Sequence, residues 1–361
     1  MPLVPDHIKN LIPYKAGKSI AEIARDYKPR KIVKLASNEN PLGPSPEAIK
    51  AVQACLGSLH RYPNPVSHDL RGALARRFDV LEENVITGHG SEGIMSVIMR
   101  TFLLDDEEAL TSEGTFIGFR VLAQSRGIKL RTVPLKDYRI DLAAMAGAIN
   151  DKTKIVYLAN PNNPTGTIFT VKEFLTFMEQ VPPHVLIIMD EAYFEFCYEN
   201  PVYPDSMKYR LDNVITLRTF SKAYGLAGIR IGYGFARAEV INNLMKVKLP
   251  FEPGIPAQVA GRAAMKDEAW LKAYIDLNKK GLAFFYDLFD RLGLRYIESQ
   301  ANFVTLVLDN GEQVERINEE LLKKGVIVRP LAAFGLPQCL RINTGLEEEN
   351  AYFAEMLEKV L

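Results

Sequence analysis

Four short stretches of this 361-residue chain combine reactive residue types with neighbours unusual for an open surface. Lys222 lies between Thr219-Phe-Ser221 and the glycine-rich run Ala223-Tyr-Gly-Leu-Ala-Gly-Ile229, and Arg230 follows eight residues later. Burial and a nearby cation would both lower the pKa of that lysine, favouring the free amine that a Schiff-base nucleophile needs. Asp190 closes the apolar run Val185-Leu-Ile-Ile-Met189, three residues before Tyr193. A carboxylate there must find a cationic or protonated partner, unless it simply caps a helix. Asn163 belongs to Asn160-Pro-Asn-Asn-Pro-Thr-Gly166, rigid at proline and free at glycine, which suits either a fixed asparagine side chain or a plain turn. Gly88-His-Gly-Ser-Glu-Gly93 opens a helical period, Ser91 to Phe102, whose first backbone N–H groups suit a phosphate.

The last stretch also spells G-x-G-x-x-G, with Glu113 twenty residues beyond Gly93, the outline of a dinucleotide fingerprint. A nicotinamide site would use that stretch and leave the other three unexplained. Pyridoxal phosphate uses all four: a lysine for its aldehyde, a carboxylate for its pyridinium nitrogen, donors for its phenolate oxygen and a cradle for its phosphate.

Ligands of an open parallel sheet bind beyond the carboxyl ends of its strands, so these stretches should follow strands of one sheet. From about 45 to 265 short β-branched runs alternate with helical periods, as βαβ units do. The strand candidates are Asn84–Thr87, Lys129–Val133, Lys154–Ala159, Val185–Met189, Asn213–Leu217 and Arg230–Phe235, with helices such as Phe116 to Ser125 and Val171 to Gln180 between them. After Pro256 the pattern becomes α+β: long helices, strands at Asn302–Leu308 and Cys339–Ile342, and a final helix from Leu346. The expected architecture is α/β, a large domain with a mainly parallel, doubly wound sheet flanked by helices, plus a smaller α+β domain. The boundaries are 41–265 for the large domain and 266–361 for the small one. Residues 1–40, proline-containing and without clear periodicity, should pack on the small domain or a partner subunit. A helix near 256 to 290 should join the domains rigidly.

Composition limits the alternatives. Apolar residues at 47% and charged ones at 24% exclude a disordered chain. Lysine plus arginine and aspartate plus glutamate both number 44, so no basic surplus points to nucleic acid or an anionic membrane. No apolar run approaches the roughly 18 residues of a membrane span, and the first residues lack an export pattern, which predicts a soluble, cytoplasmic protein. Three scattered cysteines and five histidines without metal-ligand spacing predict neither a disulfide framework nor a metal site.

Lys34-Leu-Ala-Ser-Asn-Glu-Asn-Pro-Leu-Gly43, Arg61-Tyr-Pro63, Asn162-Asn-Pro-Thr-Gly166, Asp190-Glu-Ala-Tyr193, Phe220-Ser-Lys-Ala-Tyr224, Leu226-Ala-Gly-Ile-Arg230 and Leu340-Arg-Ile-Asn343 together resemble the histidinol-phosphate aminotransferase family. That family is a branch of the aspartate-aminotransferase-like, type I pyridoxal phosphate enzymes, and the likeness runs from Ile12-Pro-Tyr14 to the last helix. The resemblance implies Lys222 as the Schiff-base lysine and proton carrier, Asp190 as partner of the pyridine nitrogen, and Asn163 and Tyr193 as partners of the phenolate oxygen. It implies a phosphate held by the N–H groups of Ser91 and Glu92, the hydroxyls of Ser221 and Thr219, and Arg230. Phe116 stands where an aromatic stacks on the cofactor ring; many relatives have tyrosine there. Arg341, with Arg329 and Tyr14, would receive the substrate, Asn163 lying alongside. Tyr62 would reach the neighbouring cofactor phosphate across a homodimer. The implied reaction converts histidinol phosphate and 2-oxoglutarate to imidazole-acetol phosphate and glutamate, in histidine biosynthesis. An aromatic amino-acid aminotransferase, a phosphothreonine decarboxylase and a non-catalytic cofactor-binding regulatory module are the other readings.

Overall fold

The structure, a computed structural model, describes residues 3–11 and 17–361. A short helix, Ile20–Asp26, starts at Ser19, whose hydroxyl accepts the N–H of Glu22 while the Glu22 carboxylate returns the bond. A two-residue strand, β1 (Val33–Lys34), follows. The main sheet is then built from β2 (Val85–Gly88), β3 (Glu108–Ser112), β4 (Lys129–Val133), β5 (Thr153–Ala159), β6 (Leu186–Asp190), β7 (Val214–Thr219) and β8 (Gly232–Phe235). Their order across the sheet is β2-β8-β7-β6-β5-β3-β4. Only β8 runs against its neighbours, so the sheet is mainly parallel.

Both faces of this sheet are covered, which is why its central strands read as unbroken apolar runs. In β5, Ile155, Tyr157 and Ala159 join one core with Ile94, Ile98 and Phe119, while Val156 and Leu158 face Phe174 and Phe177 on the other side. In β6 the alternation repeats, Leu186 and Ile188 against Ile187 and Met189. A one-residue slip would exchange the two faces and turn Asp190 away from its present neighbours.

The expected strands lie within two residues of the observed ones, but β3 is additional. Its first residue, Glu108, is buried, and its carboxylate takes hydrogen bonds from Arg131 and Asn150, each at 3.1 Å or less, and an ion pair from Lys129 at 3.0 Å. Those partners lie more than twenty residues away, so the local pattern of Glu-Ala-Leu-Thr-Ser does not announce a central strand.

Beyond the sheet, the single helix expected near 256 to 290 is two, Ile255–Ala264 and Glu268–Arg291, the second capped by the Asp267 carboxylate accepting from Trp270 N–H. Four more strands, β9 (Arg295–Ile297), β10 (Phe303–Val307), β12 (Arg329–Pro330) and β13 (Cys339–Asn343), form an antiparallel sheet ordered β12-β13-β10-β9. The helices Glu268–Arg291, Gly311–Lys323 and Glu347–Glu358 close its core through Phe285, Phe289, Ile317, Leu321 and Phe353. The N-terminal segment is stitched to this unit: β1 pairs in parallel with β11 (Val326–Ile327), and Ile23 and Ala36 pack with Leu322 and Ile327. Among the described residues no helix is long and apolar enough to cross a membrane.

Candidate active site

Because β5, β6 and β7 are adjacent and parallel, their carboxyl ends lie side by side, with Ala159 opposite Asp190 and Asp190 opposite Leu217. The loops that leave these ends open a cleft with about 600 Å³ of free space. Its lining includes Ser91, Glu92, Phe116, Asn163, Asp190, Tyr193, Thr219, Ser221, Lys222 and Arg230, so four sequence stretches spread over 140 residues meet in one place.

Asp190 is the acid at the floor. It is 5% exposed, its Oδ2 accepts the Tyr157 hydroxyl at 2.6 Å and its Oδ1 accepts Ala192 N–H at 3.1 Å. Burial outweighs those hydrogen bonds and the attraction of Lys222, raising the carboxyl from 3.8 to about 6. It is therefore a carboxylate short of a cation. Tyr157, on β5, was missed in the sequence because it reads as one more apolar strand residue; a buried phenol hydroxyl that needs a partner was the available signal.

Lys222 is half-buried and lines the same cleft. Its Nζ donates to the Ser37 carbonyl at 3.2 Å. Burial lowers its amine to about 8, Arg341 and Arg230 adding to the effect while Glu39 and Asp190 oppose it. The free amine that carbonyl attack requires is thus far more abundant near neutral pH than for an ordinary lysine, though still the minor form.

The anion cradle lies where Gly90–Phe102 begins. No side chain caps that helix, and Arg230, in left-handed backbone at φ 58°, has its guanidinium 3.9 Å from the Glu92 carboxylate. Thr219 accepts the Ser221 N–H at 3.1 Å and donates to the Ser221 hydroxyl at 3.0 Å, holding both hydroxyls at the cleft. A cation, hydroxyls and open helix N–H groups are a dianion-binding set. The close packing depends on Gly232: a Cβ there would stand 2.3 Å from Ser91 N and 2.5 Å from the Gly90 carbonyl carbon.

Arg341 arrives from the smaller sheet. It is buried, its Nη1 donates to Asn163 Oδ1, its Nη2 donates to the Ala36 carbonyl at 2.8 Å, and the guanidinium lies 5.1 Å from the Phe303 ring centre. One cation thus ties the asparagine turn, the N-terminal segment and β13 together. Tyr193 is buried, edge-on to Phe303 at 5.3 Å, and its hydroxyl accepts from Asn38 Nδ2 at 2.8 Å.

With that arrangement in place, residues 30–357 match the family described as aminotransferase class I and II. The chain belongs to this family. Aminotransferases named histidinol-phosphate aminotransferase include one from Hydrogenovibrio crunogenus, 43% identical over 98% of this chain and 95% of its own length. Another, from Anaeromyxobacter, is 42% identical over the full length of both. The crystal structure of histidinol-phosphate aminotransferase from Sinorhizobium meliloti in complex with pyridoxal-5'-phosphate superposes with a TM-score of 0.91 at 28% identity, covering 100% of this chain and 99% of that one.

The other expected site residues of this aminotransferase are less central. Arg329 pairs across strands with Arg341 and lies 5.9 Å from the Phe334 ring centre; like Arg341, it is outside the residues that line the cleft, to which Arg341 is joined by its bond to Asn163. Tyr62 is 80% exposed and stacked at 4.4 Å on Phe251, away from the cleft of its own chain. Tyr14 lies outside the described residues.

Sequence reasoning also passed over the back of the site. Glu191 points to the opposite face from Asp190 and takes Arg218 Nε and Nη2 at 2.9 and 2.7 Å, with Asp205 sharing Nη2 at 2.8 Å. Arg218 is fully buried and its guanidinium lies 3.3 Å from the Phe194 ring centre. Removing one partner of a buried pair of this kind typically costs ~3–5 kcal/mol. The network fixes the turn that carries Asp190 and Tyr193.

Proposed function

We propose that this chain is a pyridoxal phosphate-dependent aminotransferase acting on L-histidinol phosphate and 2-oxoglutarate to give imidazole-acetol phosphate and L-glutamate, a step of histidine biosynthesis. The observation that carries the reading is the meeting of a low-pKa lysine, a buried acid and an anion cradle in one cleft. The donor set fits the cofactor group by group: Lys222 for the aldehyde, Asp190 for the ring nitrogen, and Asn163 and Tyr193 for the phenolate oxygen. Ser91 and Glu92 N–H, Thr219, Ser221 and Arg230 would take the phosphate, and Phe116 would cover the ring. When bound, the cofactor supplies an electron sink for the substrate α-carbon and stores the amino group between half-reactions.

The protein's own residues do the rest. Lys222 would carry the proton at the α-carbon as a neutral amine. Asp190 would keep the ring nitrogen protonated by presenting a buried carboxylate to it. Arg341, with its planar fork, binds the glutamate α-carboxylate and the histidinol phosphate phosphate in alternate half-reactions, with Arg329 and Tyr14 assisting. The exposed stack of Tyr62 on Phe251 suits a second copy of the chain, so the working form is a homodimer in which Tyr62 reaches the neighbouring site, in the cytoplasm.

Steady-state kinetics tests the substrate. The kcat/KM for histidinol phosphate should exceed those for phenylalanine and tyrosine by at least about tenfold, the discrimination expected of a single charged hydrogen bond. A preference for the aromatic acids, or carbon dioxide release from phosphothreonine, refutes the assignment.

The cradle gives its own expectation. Gly232→Ala must push the helix start away from β8. Affinity for pyridoxal phosphate should fall at least about tenfold, and the empty protein should lose about 1–3 kcal/mol of stability to overpacking. Absorbance titration and thermal unfolding measure the two; unchanged affinity would show that the phosphate lies elsewhere.

A further inference from the structure

We propose that Asn38 is a positioning residue that turns the hydroxyl proton of Tyr193 into the cleft, and thereby sets how strongly the cofactor's phenolate oxygen is held as an anion. This rests on the pyridoxal phosphate reading above and deepens it.

Asn38 Nδ2 donates to the Tyr193 hydroxyl oxygen at 2.8 Å, and Tyr193 lines the cleft while Asn38 is not among the lining residues. A phenol has one proton to give. With its oxygen already receiving from Asn38, that proton points elsewhere, toward the groups in the cleft. Burial pushes the Tyr193 hydroxyl up to about 12, against the pull of Arg341 and Asn38, so it stays a neutral donor at working pH.

The Asn38 backbone is held from two directions. Its N–H donates to Asn343 Oδ1 at 3.1 Å, its carbonyl accepts from Asn302 Nδ2 at 3.1 Å, and Asn302 Nδ2 also reaches the Tyr274 hydroxyl at 2.8 Å. The backbone at Asn38 is left-handed, φ 56°, a conformation that asparagine, aspartate and glycine accept most readily. Its Oδ1 is buried without a hydrogen-bond partner. The amide's contribution here is therefore its donor. The preceding residue, Ser37, accepts from Lys222 Nζ, so one turn of the N-terminal segment grips both the phenol and the amine.

The test is a pH titration of the visible absorbance of the holoenzyme. Asn38→Asp keeps size and backbone but offers an acceptor, which draws the Tyr193 proton away from the cofactor. The midpoint of the absorbance change should rise by about one pH unit, a tenfold change in proton affinity. Asn38→Gly removes the amide without backbone strain and should give a smaller rise in the same direction. Tyr193→Phe alone should produce a rise at least as large as that of Asn38→Asp, and adding Asn38→Gly to it should change nothing further, because the two residues act through one hydrogen bond. Midpoints like the parent's in both Asn38 variants, or shifts that add in the double variant, overturn the proposal while leaving the cofactor reading intact. A parent protein that never acquires the band overturns both.

Discussion

Lys222→Ala is expected to give a folded protein that takes up pyridoxal phosphate but cannot fix it. Borohydride followed by denaturation should leave the cofactor on the parent chain and release it from the variant. The kcat should fall about 10⁴-fold or more, because on the proposed reading the lost amine is both the nucleophile toward the aldehyde and the carrier of the α-proton. Folding should survive. The lysine's hydrogen bond is to the Ser37 carbonyl, and its ammonium stands among Arg341 and Arg230, whose charges disfavour it. Removing a buried cation there relieves its desolvation and the repulsion of two arginines, against the loss of its attraction to Glu39 and Asp190, and leaves the strand ends untouched. The same electrostatics gives a rate signature in the parent: cofactor uptake by the empty protein should accelerate as pH rises toward about 8, where the free amine becomes the majority form, and level off above it. Stopped-flow absorbance follows that rise. Covalent retention of the cofactor by Lys222→Ala, or a loss in kcat below about tenfold, would remove the lysine from its assigned role.

Lys222 and Asp190, which the fold brings to one cleft, could be singled out in the sequence for the same reason that makes them candidates. Each interrupts a stretch that otherwise has every reason to be buried, and a charge in such a place must have a use or a partner. The partners were not legible. Tyr157 looks like strand filler until β5 is laid beside β6, and Asn38 gains its meaning only when Tyr193, 155 residues later, is brought against it. The strand β3 escaped for a related reason, since Glu108 is tolerable in a buried position only because Lys129, Arg131 and Asn150 converge on it. Periodicity reports what faces water and what does not. It carries no record of which polar group satisfies which across the fold, and the positioning of this site is made of such pairs.

Asp190→Asn separates stability from catalysis. In the empty protein the native carboxyl titrates at about 6 instead of 3.8, so between those values the folded state holds the proton more tightly than the unfolded state does. By linkage, stability falls as pH rises from about 4 to about 6 and stays lowered above that, the total loss reaching up to about 3 kcal/mol. An asparagine has no charge to bury and escapes the loss. Its carbonyl still accepts Ala192 N–H, while the Tyr157 hydroxyl, now facing an amide donor, accepts from it and loses the acceptor for its own proton, which offsets part of that gain. Without cofactor, the variant should therefore match or exceed the parent's thermal stability at pH 7.5, with the difference opening between pH 4 and 6. Its kcat should nonetheless fall about 10³-fold or more, because a neutral amide cannot hold the ring nitrogen protonated and the electrons released at the α-carbon lose their sink. On the proposed reading a bound cofactor would supply the cation that the buried carboxylate lacks, so loading should stabilise the parent more than the variant. Calorimetry of both proteins, empty and loaded, reads these effects directly. A variant that is less stable when empty at pH 7.5, or that turns over at the parent's rate, would mean that the carboxyl at 190 is a structural cap and not the counter-charge of the reaction.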